Sequence, residues 1–199
     1  MSDLTLDVGL AAKLKVAFAR NGWTPELIDA ACEGDKLGQF KQVLLGHAAI
    51  NVLEHVMDCD ADPFQPWQKD GWTVEEHQKG GSFKWDSAQV AFHLSSGQKG
   101  DKYIEGNKLR KELSDKGIPV LNANVLDYLL KNPHLIPEEW KRDGKGNTRY
   151  IFFWGTIYRR RGGGLYVRYL CWRGGRWRWG YCWLDDDFYG LDPAAVRAS

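Results

Sequence analysis

Three runs rich in aromatic and β-branched residues, Tyr150 to Tyr158, Leu165 to Trp172 and Arg176 to Leu184, are separated only by Arg159 to Gly164 and by Arg173 to Gly175. No other part of the chain restricts its own folding so tightly. Short polar turns containing glycine between such runs predict a three-stranded antiparallel β-meander over 150–184. With a two-residue turn at Gly174 and Gly175, the pairing follows: Trp172 with Trp177, Leu170 with Trp179, Arg168 with Tyr181 and Tyr166 with Trp183. These eight share one face, because successive strand residues point to opposite sides. The other face carries Leu165, Val167, Tyr169, Cys171, Arg178, Gly180, Cys182 and Leu184. One face must cover a core; the other is either a second buried layer or an exposed platform.

The rest of the chain reads as helical, then mixed. Leu6, Leu10, Leu14 and Phe18 recur with helical spacing until Asn21 and Gly22, residues that tolerate the left-handed backbone at a helix end. Thr24 and Pro25 restart a helix, the first as cap and the second at its opening position, and a third helix covers Lys36 to Leu45. Residues 1–49 are therefore expected to form a small helical bundle, with an α+β domain over 50–199. In that domain, Ile50 to Met57 reads as a strand, and Trp72 to Glu76 and Phe83 to Trp85 read as strands either side of a turn at Lys79 to Gly81. The segment from Asp86 to Leu94 fits either helix or strand. Helices are expected over Glu105 to Leu113 and Asn122 to Lys131, the latter closed by Asn132 and Pro133, and the meander is expected to pack on both.

At 199 residues, with 43% apolar and 27% charged side chains, the chain is long enough to bury a real core without disulfides or a structural metal. It contains no run of eighteen apolar residues, and the opening Met1-Ser2-Asp3-Leu4 lacks the basic region of a secretory signal. A cytoplasmic protein with no membrane partner is the expectation. Cys32, Cys59, Cys171 and Cys182 form no CxxC pair, and the expected register sets Cys171 opposite Arg178 and Cys182 opposite Val167. Four reduced thiols follow, rather than a disulfide or a zinc site.

Charge is distributed unevenly. The totals, 27 Lys plus Arg against 26 Asp plus Glu, leave a net +1. Residues 141–178, however, hold eleven Lys or Arg and a single acid, Asp143, so this segment is +10 and the remainder −9. Five of the ten Trp lie between 154 and 183. Arginine interleaved with aromatic residues on a sheet suits single-stranded DNA or RNA, where cations neutralise phosphates and aromatic faces stack bases. The leading expectation is thus a non-enzymatic binding module acting through Arg159, Arg160, Arg161, Arg168, Arg176, Trp177 and Trp179. The competing interpretation is structural: the aromatics form core, and the arginines protect strand edges or pair with Asp185 to Asp187. Exposure of Trp172, Trp177, Trp179 and Trp183 separates the two.

A second function class rests on Asp58, Asp60 and Asp62, which follow an expected strand at alternate positions. If the strand geometry persists, three carboxylates on one side suit Mg2+ or Mn2+ and metal-dependent hydrolase or nuclease chemistry, with His47, His55 or His77 as possible further ligands. An EF-hand is excluded, since the sixth position from Asp58 is not Gly and the twelfth is Lys69. The glycines after Arg161 lead into a strand and make no phosphate loop. Ser95 and Ser96 lie in no nucleophile elbow. A third class, a protein–protein interaction module, has the same composition as the first.

The runs Asp58 to Phe64, Val74 to Gly81, Glu105 to Leu113, Pro119 to Leu130, His134 to Trp140, Phe152 to Tyr158 and Leu165 to Trp172 resemble those of a recurrent family of uncharacterised hypothetical proteins from uncultivated candidate-phylum bacteria. The resemblance spans roughly residues 50 to 199. It implies a bacterial origin and no activity, ligand or catalytic residue. Members of that family carry Asp, Ser and Gly more often than arginine in the first meander turn, so it assigns Arg159 to Arg161 no role.

Overall fold

The computed structural model describes residues 7–50, 54–66 and 70–198, which divide into two units at Leu53 and Glu54. In the first unit, α1 (Val8–Arg20) begins where the Asp7 carboxylate accepts the Leu10 amide at 2.7 Å. It ends at Asn21, with Gly22 left-handed at φ 69°. Thr24 caps α2 (Pro25–Cys32), which Pro25 opens, and α3 (Lys36–Leu44) follows. Helix positions match the capping chemistry, but the expected bundle core does not: no described residue of this unit is buried. Leu6 lies outside the described residues.

In the second unit, β1 is only Val56–Asp58 and pairs antiparallel with β3 (Ser82–Lys84). The longer expected strand from Ile50 is thus shortened, with residues 51–53 outside the described set. Between them lies β2 (Thr73–His77). It does not pair with β3 across the Lys79–Gly81 turn; it crosses to β6 (Ile151–Arg159) and pairs with its second half. The ambiguous segment after Asp86 is both things in turn, a 3-10 turn over Ser87–Gln89 capped by Asp86 and then β4 (Val90–His93). A short β5 (Ile104–Glu105) leads into α4 (Gly106–Asp115), and α5 (Ala123–Lys131) starts at the Asn122 cap.

The molecule is α+β, and its main sheet is larger than a meander. β6, β7 (Leu165–Arg173) and β8 (Arg176–Trp183) are consecutive and antiparallel. β7 and β8 pair in the register anticipated from the Gly174–Gly175 turn, Trp172 opposite Trp177 and Tyr166 opposite Trp183. Both turn glycines are left-handed, at φ 63° and 73°, as a tight hairpin turn of this kind requires. After β9 (Asp187–Phe188), which pairs with β5, the chain returns as β10 (Ala194–Arg197). β10 inserts between β4 and β6, antiparallel to the former and parallel to the latter. Among the described residues the sheet order is β4-β10-β6-β7-β8, with β2 also on β6, six strands rather than three.

Every residue of β6 from Ile151 to Tyr158 is buried, because both sheet faces are covered. On one face Ile151, Phe153 and Leu170 pack with Val125, Leu126 and Leu129 of α5. On the other, Phe152, Trp154 and Val167 pack with Leu109 and Leu113 of α4 and with Leu184 and Phe188. Fully burying one such side chain contributes roughly 1.5–3 kcal/mol. The pairing of β6 with β7 is interrupted between Phe152 and Ile157, around Gly155. A side chain there is excluded: a Cβ would stand 2.9 Å from Cβ and 3.0 Å from the backbone of Asn122, the residue that caps α5. β8 forms the far edge, with Arg176 and Arg178 exposed on it, a charge placement that discourages pairing with another chain.

Candidate nucleic-acid interface

The sheet register places Arg168 on the α5 side, between Tyr166 and Leu170, and this decides its role. Only 1% of Arg168 is exposed. Its Nη2 donates to Oδ1 of Asp127 at 2.6 Å and its Nη1 to Oδ2 at 3.0 Å, a forked pair with α5. The guanidinium lies 4.4 Å from the centre of the Trp179 ring and 5.6 Å from that of Phe64. Burial works against the charge, but the hydrogen bonds to Asp127 and the negative charge of that carboxylate outweigh the cost, so the Arg168 pKa is raised. Arg168 is therefore a core residue and is withdrawn from the interface expected for it.

The other expected contacts divide similarly. Trp177 and Trp179 are half-buried and pack against the α5-side core. Trp179 already stacks on Arg168, and Trp172 is covered by Lys141, whose Nζ lies 3.5 Å from the ring centre. Trp172 and Trp177 meet edge to face, 5.4 Å apart. These faces are filled by the protein itself. Arg159 forks onto Glu75 of β2, with Nε to Oε2 at 2.6 Å and Nη2 to Oε1 at 2.5 Å. The Arg159 hydrogen bonds hold the Glu75 carboxyl below its usual range. Arg176 is exposed, but it sits at the Gly174–Gly175 end of the β7–β8 hairpin. Across eight strand residues that is about 25 Å from the first turn.

Arg160 and Arg161 remain. They occupy the turn from β6 to β7, which is closed by Arg160 N–H to Gly164 O at 2.9 Å and Gly163 N–H to Arg160 O at 2.8 Å. Both are exposed, and among the described residues neither makes an ion pair. With Asp70, Gly162, Gly164, Tyr166 and Trp183 they line a shallow notch of about 560 Å3. Trp183 is 41% exposed there. Gly164 sits close to both rings: a Cβ there would come 3.2 Å from Nε1 of Trp183 and 3.3 Å from the Tyr166 ring, so a larger residue requires the rings to shift slightly. Tyr166 is held by Trp72 and Tyr181, with ring centres at 4.7 and 5.6 Å. The stem of Arg161 packs beside Gly71, where an added Cβ would stand 3.3 Å from the Arg161 Cβ.

Trp183 and Tyr166 were not among the contacts expected from the sequence. The signal for them was the register itself, which pairs them at the strand ends beside the arginine turn.

Asp58, Asp60 and Asp62 do not converge, because the chain leaves strand geometry at Asp58. Oδ1 of Asp58 accepts the amides of Asp60 and Ala61 at 2.9 and 3.2 Å, and Oδ1 of Asp60 accepts the Gly81 amide at 2.8 Å. The first two carboxylates thus hold the turn that places β1 beside β3. His77 sits between Thr156 Oγ1 and the Cys59 carbonyl at 2.8 and 3.1 Å, His55 on Tyr128, and His47 on Gln42. Among the described residues no group of three or more His, Cys, Asp or Glu could hold a metal ion. Asp185 accepts from Asn107 at 2.7 Å rather than from a meander arginine. No described helix is long and apolar enough to cross a membrane.

Comparison with protein-family models, with curated proteins and with solved structures finds no match.

Proposed function

We propose that this protein is a binding module that contacts single-stranded DNA or RNA at the notch formed by Arg160, Arg161, Tyr166 and Trp183. The observation that carries this reading is the pairing of two exposed arginines, without ion-pair partners among the described residues, with a 41% exposed indole at the end of β8. Two cations neutralise adjacent phosphates, while the indole face stacks a base without regard to its identity. The notch is shallow, so it accommodates one or two nucleotides of a flexible strand rather than a duplex.

The test is fluorescence anisotropy of a labelled single-stranded oligonucleotide at low salt. Two phosphate contacts give a log–log salt slope of about −1.4. Trp183→Ala lowers affinity about 5- to 150-fold, the equivalent of roughly 1–3 kcal/mol for one stacked base. Charge reversal of Arg160 and Arg161 removes the salt dependence together with most of the affinity. No binding at low salt, or binding unchanged by these substitutions, ends the proposal.

A further inference from the structure

The arginine notch holds one group that phosphate neutralisation and base stacking leave unused. Asp70 lines it together with Arg160, Arg161, Tyr166 and Trp183. It is exposed, and among the described residues its carboxylate makes neither an ion pair nor a hydrogen bond. Nearby acids behave differently. Glu75 and Glu76 of β2 pair with Arg159 and Arg110, each at 2.5 Å. Asp70 pairs with neither notch arginine, so its two oxygens are open to a ligand. Its place is set from the core side. Trp72, two residues on, is 6% exposed and packs on the Tyr166 ring with 4.7 Å between centres, and Gly71 lies beside the Arg161 stem. The carboxylate is therefore tethered next to both the cations and the stacking surface.

An acid in a phosphate-binding notch tells the two ends of a nucleotide apart. It repels phosphate, which goes to Arg160 and Arg161, and attracts the N–H donors of the base edge. An ionised carboxylate only accepts hydrogen bonds, so the bases are unequal partners for it. Guanine presents two adjacent donors, N1–H and the 2-amino group, on its Watson–Crick edge, and these match the two carboxylate oxygens as a forked pair. Adenine and cytosine offer one amino group beside a ring-nitrogen acceptor. Thymine and uracil offer one N–H between two carbonyl oxygens, which a carboxylate repels. Unpaired bases stacked on an aromatic side chain are open to reading on this edge.

We infer that the notch selects guanine, with Asp70 as the specificity-determining residue. The Asp70 carboxylate accepts from N1–H and the 2-amino group, Trp183 stacks the ring, and the arginines hold phosphate. The inference rests on the nucleic-acid reading of this same site and adds to it a base preference that stacking on Trp183 alone does not give.

The test is competition against a short labelled oligothymidylate at low salt, followed by fluorescence anisotropy. The unlabelled competitors are the same strand and strands with one central thymine replaced by guanine, hypoxanthine or adenine. A forked base contact is worth roughly 5- to 150-fold. At an exposed site the low end applies, so the guanine strand should compete about fivefold better than the thymine strand. Hypoxanthine, which keeps N1–H but lacks the 2-amino group, should fall between them, and adenine controls for the stacking area of a purine. Asp70→Asn and Asp70→Ala should each bring the guanine and thymine strands together. Thymine-strand affinity should hold or rise in both variants, because a negative charge beside the phosphates is gone. A wild-type chain that binds guanine no better than thymine or adenine overturns the inference, as does a preference that survives both substitutions. Either result leaves the notch a nucleic-acid site without base selectivity. Loss of thymine-strand binding in both variants also overturns it, since Asp70 then supports the shape of the notch rather than reading a base. Absence of binding by every strand removes the underlying reading, and the inference with it.

Discussion

Replacing Asp127 with alanine leaves the Arg168 guanidinium buried, with its forked partner gone. Arg168 is 1% exposed and donates two hydrogen bonds to that single carboxylate, at 2.6 and 3.0 Å. Breaking a buried pair from one side typically costs about 3–5 kcal/mol, because the remaining charge is neither solvated nor paired. The Asp127 side chain is 20% exposed, so water reaches the pair from one end and the low end of that range, about 3 kcal/mol, applies. For a cooperative unit of roughly 150 residues, Glu54–Ser199, each kcal/mol moves Tm by about 2–4 °C, giving a fall of about 6–12 °C. Thermal unfolding followed by circular dichroism at neutral pH measures it. The control is Asp127→Leu with Arg168→Met, in which the slot between Trp179 and Phe64 is filled by an apolar chain. Because replacing both ions is commonly neutral or stabilising, this double variant should melt within a few degrees of the wild type. A drop of less than about 2 °C for Asp127→Ala, or a double variant as unstable as the single one, would refute the argument that desolvation dominates this site.

Two other groups give independent checks. Hydrogen bonds from Lys116 and from Ser95 hold the Glu112 pKa below its usual value. The unfolded chain therefore binds its proton first as pH falls, and the stabilisation is complete above the ordinary glutamate pKa of about 4.3 and lost as pH drops through the lower native value. The Tm gap between wild type and Glu112→Gln at pH 7 should close in strong acid, and a gap independent of pH would contradict this. Burial, with Asp186 beside it, pushes the Cys182 thiol up to about 12, and Cys59 and Cys171 are buried, whereas Cys32 is exposed. A thiol reagent at mildly alkaline pH should titrate one group rapidly in the native protein and all four after denaturation. Fast labelling of Cys182, located by peptide mapping, would show that its strand face opens.

Much of the local structure was legible because local rules suffice for it. Thr24 with Pro25, and Asn122 before α5, mark helix starts by short-range hydrogen bonding and backbone preference. The Gly174–Gly175 turn sets the whole β7–β8 register, since one tight turn leaves the pairing no freedom to slip. β10 was not legible: Ala194, Ala195 and Val196 form too short a run to announce a strand, and only the space between β4 and β6 makes them one. Likewise no local pattern pairs Glu75 with Arg159 or Glu76 with Arg110, partners that meet only across the fold.

The +10 of residues 141–178 is the clearest case of a property that the sequence measures and the fold then allocates. Composition and turn chemistry determined that arginines and aromatics would share a sheet, and even which side chains would stand opposite one another. Tertiary packing decided which of them remain available. α5 brought Asp127 onto Arg168 and sealed it, β2 brought Glu75 onto Arg159, and Lys141 covered Trp172. Those neutralisations depend on long-range approach of elements far apart in the chain, and no local preference encodes them. Arg160, Arg161 and Trp183 keep an exposed surface because they lie at a strand end beyond the reach of the covering helices.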